Sequence, residues 1–106
     1  MRQLILKRNK SFVGCLGKDC VYLEDTDRGE LTIKGSPCHK IGELKNGEEK
    51  TFSIPTTQVK VFVIVDIATK EFCVDSKVIP AGEGDVRLSG KNTFDPQKGN
   101  PFVFDK

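Results

Sequence analysis

Tryptophan is absent from this 106-residue chain, and histidine, methionine and tyrosine occur once each. Without tryptophan, the hydrophobic core has to be built from the seven phenylalanines and from branched aliphatic residues, which are typical of β-strands. The single histidine, His39, is one reason why no catalytic pair of residues is expected.

The chain also has little net charge and no long apolar run. Its 17 Lys and Arg residues face 15 Asp and Glu residues, and a net charge of +2 is too balanced for a nucleic-acid-binding surface. No run approaches the roughly 20 apolar residues of a transmembrane helix, and no signal-peptide pattern is present. We therefore expect a cytoplasmic chain without membrane insertion, whose four cysteines are reduced. The basic segment Lys7–Lys10 is interpreted as a solvated strand end.

The length and the pattern of apolar residues predict one all-β domain. A chain of 106 residues corresponds to one domain, here residues 1–106, and can bury roughly two thirds of its unfolded surface. Short alternating segments are separated by turn residues every 8–12 positions or so, and no window has helical periodicity. We expect an Ig-like antiparallel two-layer β-sandwich of about seven or eight strands, ending in a loop-rich tail over residues 91–106.

The strongest strand signal covers Val59 to Ile67. Four valines at alternate positions share one face of this segment, while Phe62 and Ile64 lie on the other face. A strand that is apolar on both faces has to be covered on both sides, which predicts a position in the sheet interior.

The clearest turn signal lies at Asn46-Gly47, in the stretch IGELKNGEEKTFSI (Ile41 to Ile54). A two-residue loop would form two favourable charge pairs, each contributing about 0.2–1 kcal/mol. A three-residue loop with Gly47 in the left-handed region would instead place Leu44 on the face of Phe52, and burying a leucine contributes roughly 1.5–3 kcal/mol. We therefore predict a β-hairpin with the three-residue loop and a bulge at Gly47.

A cysteine and histidine cluster is the candidate metal site. Cys15 and Cys20 have a spacing found in zinc knuckles, but no second closely spaced pair follows them. A zinc site would need these two residues to converge with Cys38 or His39, with Cys73 as a further candidate ligand. The favoured interpretation is that the cysteines are buried or lie near strand ends, so that no metal and no cofactor is expected.

Catalytic motifs are missing from the sequence. Cys38 and His39 are neighbours on a predicted strand and would point to opposite faces, which disfavours a nucleophile and base pair. The segment Asp25–Glu30 begins like a calcium loop but has glycine where that loop needs an oxygen ligand, and Gly82–Gly84 lacks the helix of a dinucleotide loop. Both are interpreted as turns, and we expect a protein that is not an enzyme.

The run VYLED, LTIKG, KIGELKNGEEKTFSIP, VKVFVIVD and SKVIPAG resembles PEGA-like β-sandwich modules of uncharacterised bacterial proteins. The resemblance covers roughly residues 1–90 and implies the fold but no site residues. It also implies a bacterial module with a binding or structural role. Because edge strands carry unpaired N–H and C=O groups, we expect a domain that presents an edge strand or loops to a protein partner, with a homodimer through an edge strand as one form. The alternative is a small metal- or ligand-binding domain that uses Cys15, Cys20, Cys38 and His39.

Overall fold

The computed structural model describes residues 1–12, 17–25, 27, 29–65, 74–94 and 101–105. Within these ranges the chain forms nine β-strands and no helix. The strands are β1 (Arg2–Arg8), β2 (Asp19–Glu24), β3 (Leu31–Ile33), β4 (Ser36–Leu44), β5 (Glu49–Ile54), β6 (Val59–Val65), β7 (Asp75–Ile79), β8 (Val86–Asn92) and β9 (Phe102–Phe104). No helix in this part of the chain is long and apolar enough to cross a membrane.

Two sheets form the architecture. A four-stranded sheet has the order β5-β1-β8-β9, and a five-stranded sheet has the order β3-β4-β2-β6-β7. All strand pairs are antiparallel except β1 and β8, which run parallel. The predicted all-β two-layer sandwich is confirmed, with nine strands in the described part of the chain instead of seven or eight.

The main core lies between the two sheets, and its residues come from alternate strand positions. Leu4 and Leu6 of β1 are fully buried and face the alternating valines of β6. Phe62, on the opposite face of β6, is 1% exposed and joins a second cluster with Ile33, Cys38 and Val74. The prediction that β6 is covered on both faces is therefore confirmed.

The predicted hairpin at Asn46-Gly47 is wrong, because the strands on either side of this turn belong to different sheets. Gly47 does adopt a positive φ of 77°, and the amide of Glu48 donates to Lys45 O at 2.9 Å. However, β4 pairs with β2 and β3, whereas β5 pairs with β1. Leu44 and Ile54 are both fully buried. They belong to opposite sheets, and each reaches the core between the sheets from its own side.

A two-residue hairpin is instead found at Lys34-Gly35, between β3 and β4. Both residues have positive φ, 50° and 82°, as a type I′ turn requires. Ile33 pairs with Ser36 across this turn, and Thr32 pairs with Pro37. The amide of Asp25 donates to Pro37 O. The main-chain nitrogen of Pro37 therefore points to a position just beyond the end of β2, where the strand does not need the N–H that proline lacks.

Residues of the predicted loop-rich tail also belong to the four-stranded sheet. Lys91 and Asn92 continue β8, and Phe102–Phe104 forms β9 beside it. Gly90 permits this pairing, because a Cβ atom there would overlap the Phe102 ring. The end of the strand predicted over Val59 to Ile67 lies outside the described residues from residue 66 onward.

Candidate functional site

The candidate zinc ligands within the described residues do not converge. Cys20 lies opposite Glu43 and Cys38 lies opposite Glu24, so the two thiols sit at opposite ends of one ladder, roughly 13 Å apart. His39 is the next residue after Cys38 and points to the other face of the sheet. The described residues contain no group of three His, Cys, Asp or Glu side chains that could hold a metal ion.

Two further cysteines, Cys15 and Cys73, lie outside the described residues. Cys38 itself is fully buried in the second apolar cluster, and its Sγ donates to Ser36 O at 3.2 Å. Burial raises the pKa of the Cys38 thiol, which keeps it protonated at neutral pH. A buried, protonated thiol is a weak nucleophile, so this position favours a structural role.

His39 lies next to an acidic groove of about 360 Å³. Its Nδ1 is 3.3 Å from Asp25 Oδ2, and Asp25 Oδ1 accepts the amide of Asp27 at 2.9 Å. The groove is lined by Leu23, Glu24, Asp25, Asp27, Pro55, Thr57, Gln58 and Val59. Asp25 therefore closes a turn on its own backbone, as the sequence predicts for a non-calcium loop, and its other oxygen lies within ion-pair distance of His39.

A buried polar cluster joins the two sheets at one end of β1. Arg8 Nε lies 3.2 Å from Asp19 Oδ2, and neither side chain has any exposed surface. Arg8 also donates to Gly17 O and Leu44 O, both at 2.9 Å, while Asn92 Nδ2 donates to Asp19 Oδ1 at 3.2 Å. The interpretation of Lys7–Lys10 as a solvated strand end is therefore wrong at Arg8. The available signal was the alternation of Arg8 with the inward-facing residues of β1.

Arg2 has a matching position at the other end of β1. It is 5% exposed, and its guanidinium donates to Pro55 O at 3.0 Å, Thr57 O at 3.2 Å and Pro80 O at 2.6 Å. Both arginines thus fix loop carbonyls at the ends of the sandwich. They stabilise the fold at both ends of β1.

The four sheet edges differ in length and in cover. Strands β3 and β9 contain three residues each. Asp75, at the start of β7, accepts the amide of Phe104 through Oδ2 at 2.8 Å, so the β7 and β9 edges close against each other. In contrast, β5 contains six residues and pairs with β1 on one side only. The free edge of β5, residues 49–54, is therefore the longest open edge among the described strands.

Backbone hydrogen bonds show which β5 groups face outward. The amide of Arg8 donates to Glu48 O, whereas the amide of Asn9 donates to Gly90 O on β8. Even-numbered residues of β5 consequently bond to β1, because bonded pairs alternate along an antiparallel ladder. The N–H and C=O groups of Glu49, Thr51 and Ser53 therefore point away from the sheet, and all three residues are exposed.

The even-numbered side chains anchor β5 on the inner face. Phe52 lies opposite Leu4, and its ring packs on Gly42 of the other sheet. Lys50 lies opposite the buried Leu6 but remains exposed, with Nζ 3.6 Å from Glu48 Oε1. The sequence predicts this strand. However, the predicted hairpin paired it with β4 on the side that is open in the structure, so the free edge was not predicted.

No family model, no curated protein and no solved structure matches this chain. The resemblance to PEGA-like modules accordingly stays a prediction.

Proposed function

We propose that this chain is a non-catalytic interaction module that binds an extended segment of a protein partner along the free edge of β5. The observation that carries the proposal is the row of outward N–H and C=O groups at Glu49, Thr51 and Ser53. An added strand satisfies such a row by main-chain hydrogen bonding, which is the basis of β-augmentation.

The other edges give less support to strand addition. A partner on β3 or β9 would meet only three residues. On β7, the side chain of Asp75 is already engaged with the amide of Phe104. Only β5, among the described edges, offers a continuous ladder of strand length that is exposed over most of its residues.

The charges of β5 give this edge selectivity. Natural edge strands use charged residues, lysine above all, to prevent indiscriminate pairing. The side chain of Lys50 lies on the inner face of the edge strand and that of Glu49 on the outer face. An incoming strand therefore has to avoid placing a like charge opposite either side chain. The edge is thus guarded against arbitrary strands while it remains open to a complementary one.

The resemblance to PEGA-like modules supports an interaction or structural role by analogy.

The test is peptide binding to two variants that differ in one backbone donor. Thr51→Pro removes an outward N–H without removing a bond to β1, and Thr51→Ala keeps that N–H as the matched control. The probes are a neutral octapeptide of alternating Thr and Val and an octapeptide with the sequence of residues 48–55. We expect binding to the wild type and to Thr51→Ala, and loss of binding in Thr51→Pro. The proposal fails if neither peptide binds at millimolar concentration, or if Thr51→Pro binds as well as Thr51→Ala.

A further inference from the structure

The free edge of β5 is complementary to itself. Its outward residues, Glu49, Thr51 and Ser53, are evenly spaced about Thr51. A second copy turned by a twofold axis through Thr51 would therefore present its own outward groups opposite these three residues. Each opposed pair exchanges two N–H···O bonds, so this arrangement forms about six bonds.

Side-chain charge favours this register over its neighbours. With the axis at Thr51, Glu49 lies opposite Ser53 of the second copy, and Lys50 lies opposite Phe52. No like charges are directly opposed, and the lysine chain can pack on the aromatic ring. Thr51 meets its own counterpart, a pair of the kind that forms cross-strand hydrogen bonds.

The alternative registers each contain a defect. An axis at Lys50 sets two lysines directly opposite each other, and an axis at Glu49 does the same with two glutamates. An axis at Phe52 or Ser53 brings Pro55 of the second copy opposite an outward residue of β5, and proline has no N–H to donate. The register centred on Thr51 is the one that uses the whole edge without these defects.

We propose that the partner of the β5 edge is a second copy of this chain, paired antiparallel through residues 49–53 about a twofold axis at Thr51. This inference rests on the proposed function and names its partner. The pairing joins two four-stranded sheets into one eight-stranded sheet across the dimer. A contact made of one strand edge is small, so the dimer is weak and depends on protein concentration.

Cysteine cross-linking tests the register. Directly opposed residues of an antiparallel pair have Cα atoms about 4.5–5.5 Å apart, within the range that a disulfide spans. Thr51→Cys should therefore form a covalent dimer under mild oxidation. Glu49→Cys is the matched control, because Glu49 lies opposite Ser53 and its two copies are roughly 13 Å apart. Both variants are compared with wild type, which carries the same four native cysteines.

Sedimentation equilibrium between about 10 μM and 1 mM, a range that covers weak association, tests the dimer itself. We expect reversible dimers for wild type and Thr51→Ala and only monomer for Thr51→Pro, with Ser53→Pro as a second variant that removes an outward donor. Circular dichroism of each variant verifies the fold.

The possible results separate the two proposals. Wild type that stays monomeric but binds the Thr and Val octapeptide overturns self-pairing and leaves the proposed function standing. Efficient cross-linking of Glu49→Cys but not of Thr51→Cys overturns the register. A dimer that persists in both folded proline variants overturns self-pairing at β5, whereas absence of both dimer and peptide binding overturns the two proposals together.

Discussion

Arg8 Nε lies 3.2 Å from Asp19 Oδ2, and this ion pair connects β1 of one sheet with β2 of the other in the fully buried interior. Removing two charges from water costs several kcal/mol for each ion, which is offset only when the pair is well hydrogen-bonded. Here Gly17 O, Leu44 O and the Asn92 amide group supply those bonds. The pair therefore fixes how the two sheets lie on each other at this end.

Replacing one partner of this pair should destabilise the fold strongly. Arg8→Ala leaves Asp19 buried without its counter-charge, and we expect a loss of about 3–5 kcal/mol in the free energy of unfolding, measured with urea. Lys7→Ala, one residue away but exposed, is the matched control and should change stability by no more than about 0.5 kcal/mol. The double variant Arg8→Met/Asp19→Leu should recover part of the loss, because it removes the unpaired charge but leaves Gly17 O, Leu44 O and the Asn92 amide without these partners. Equal effects at Arg8 and Lys7 would contradict the buried pair.

The two faces of β6 should both be sensitive to truncation. Phe62 and Val63 are each 1% exposed, on opposite faces of the strand. We expect Phe62→Ala and Val63→Ala to lower the free energy of unfolding by about 2–5 kcal/mol. Val78→Ala on β7, where the side chain is 46% exposed, should cost less than either. Melting curves like that of wild type for both β6 variants would show that this strand is not central.

Gly42 should not tolerate a side chain. An added Cβ would lie 2.5 Å from Cε1 of Phe52, so Gly42→Ala has to displace a ring that spans the two sheets. We expect a loss of about 1–3 kcal/mol, as overpacked cores show. Gly84→Ala is the control, since a Cβ there meets nothing within 4 Å. If the two alanine variants melt alike, Phe52 does not pack on Gly42.

Cys38 should make stability depend on pH in the alkaline range. Burial raises the pKa of its thiol in the folded state above the unfolded value, so the unfolded chain loses this proton first as pH rises. The contribution is fully present below the unfolded pKa of about 8.5 and is lost progressively above it. Urea unfolding of wild type and Cys38→Val between about pH 7 and pH 10 checks this prediction. The stability of wild type should fall more steeply, and parallel curves would count against a buried neutral thiol.

The sequence predicts strands better than it predicts how they are paired. The apolar pattern of Val59 to Ile67 identifies β6, because a strand that is apolar on both faces has to be covered on both sides. The same signal cannot say whether Leu44 and Phe52 share a face within one sheet or face each other between sheets. The hairpin prediction failed on this ambiguity.

The candidate site was harder to predict for a related reason. An edge is defined by the neighbour that a strand lacks, which depends on contacts between distant segments such as β1 and β5. The burial of Arg8 likewise depends on Asp19 and Asn92, which no local pattern connects. The spacing of the cysteines led to the hypothesis of a zinc site. The register between β2 and β4 does not bring Cys20, Cys38 and His39 together and therefore does not support it.

Amide hydrogen exchange at Thr51, followed by NMR as the protein is concentrated, tests the central claim most directly. In dilute solution this outward amide should exchange rapidly, while the amide of Phe52, which bonds to β1, is protected. On concentration, exchange at Thr51, Glu49 and Ser53 should slow together, and Thr51→Ala should behave in the same way. Exchange at these three amides that stays fast at every protein concentration, and with either octapeptide added, would contradict the account of β5 as a binding edge.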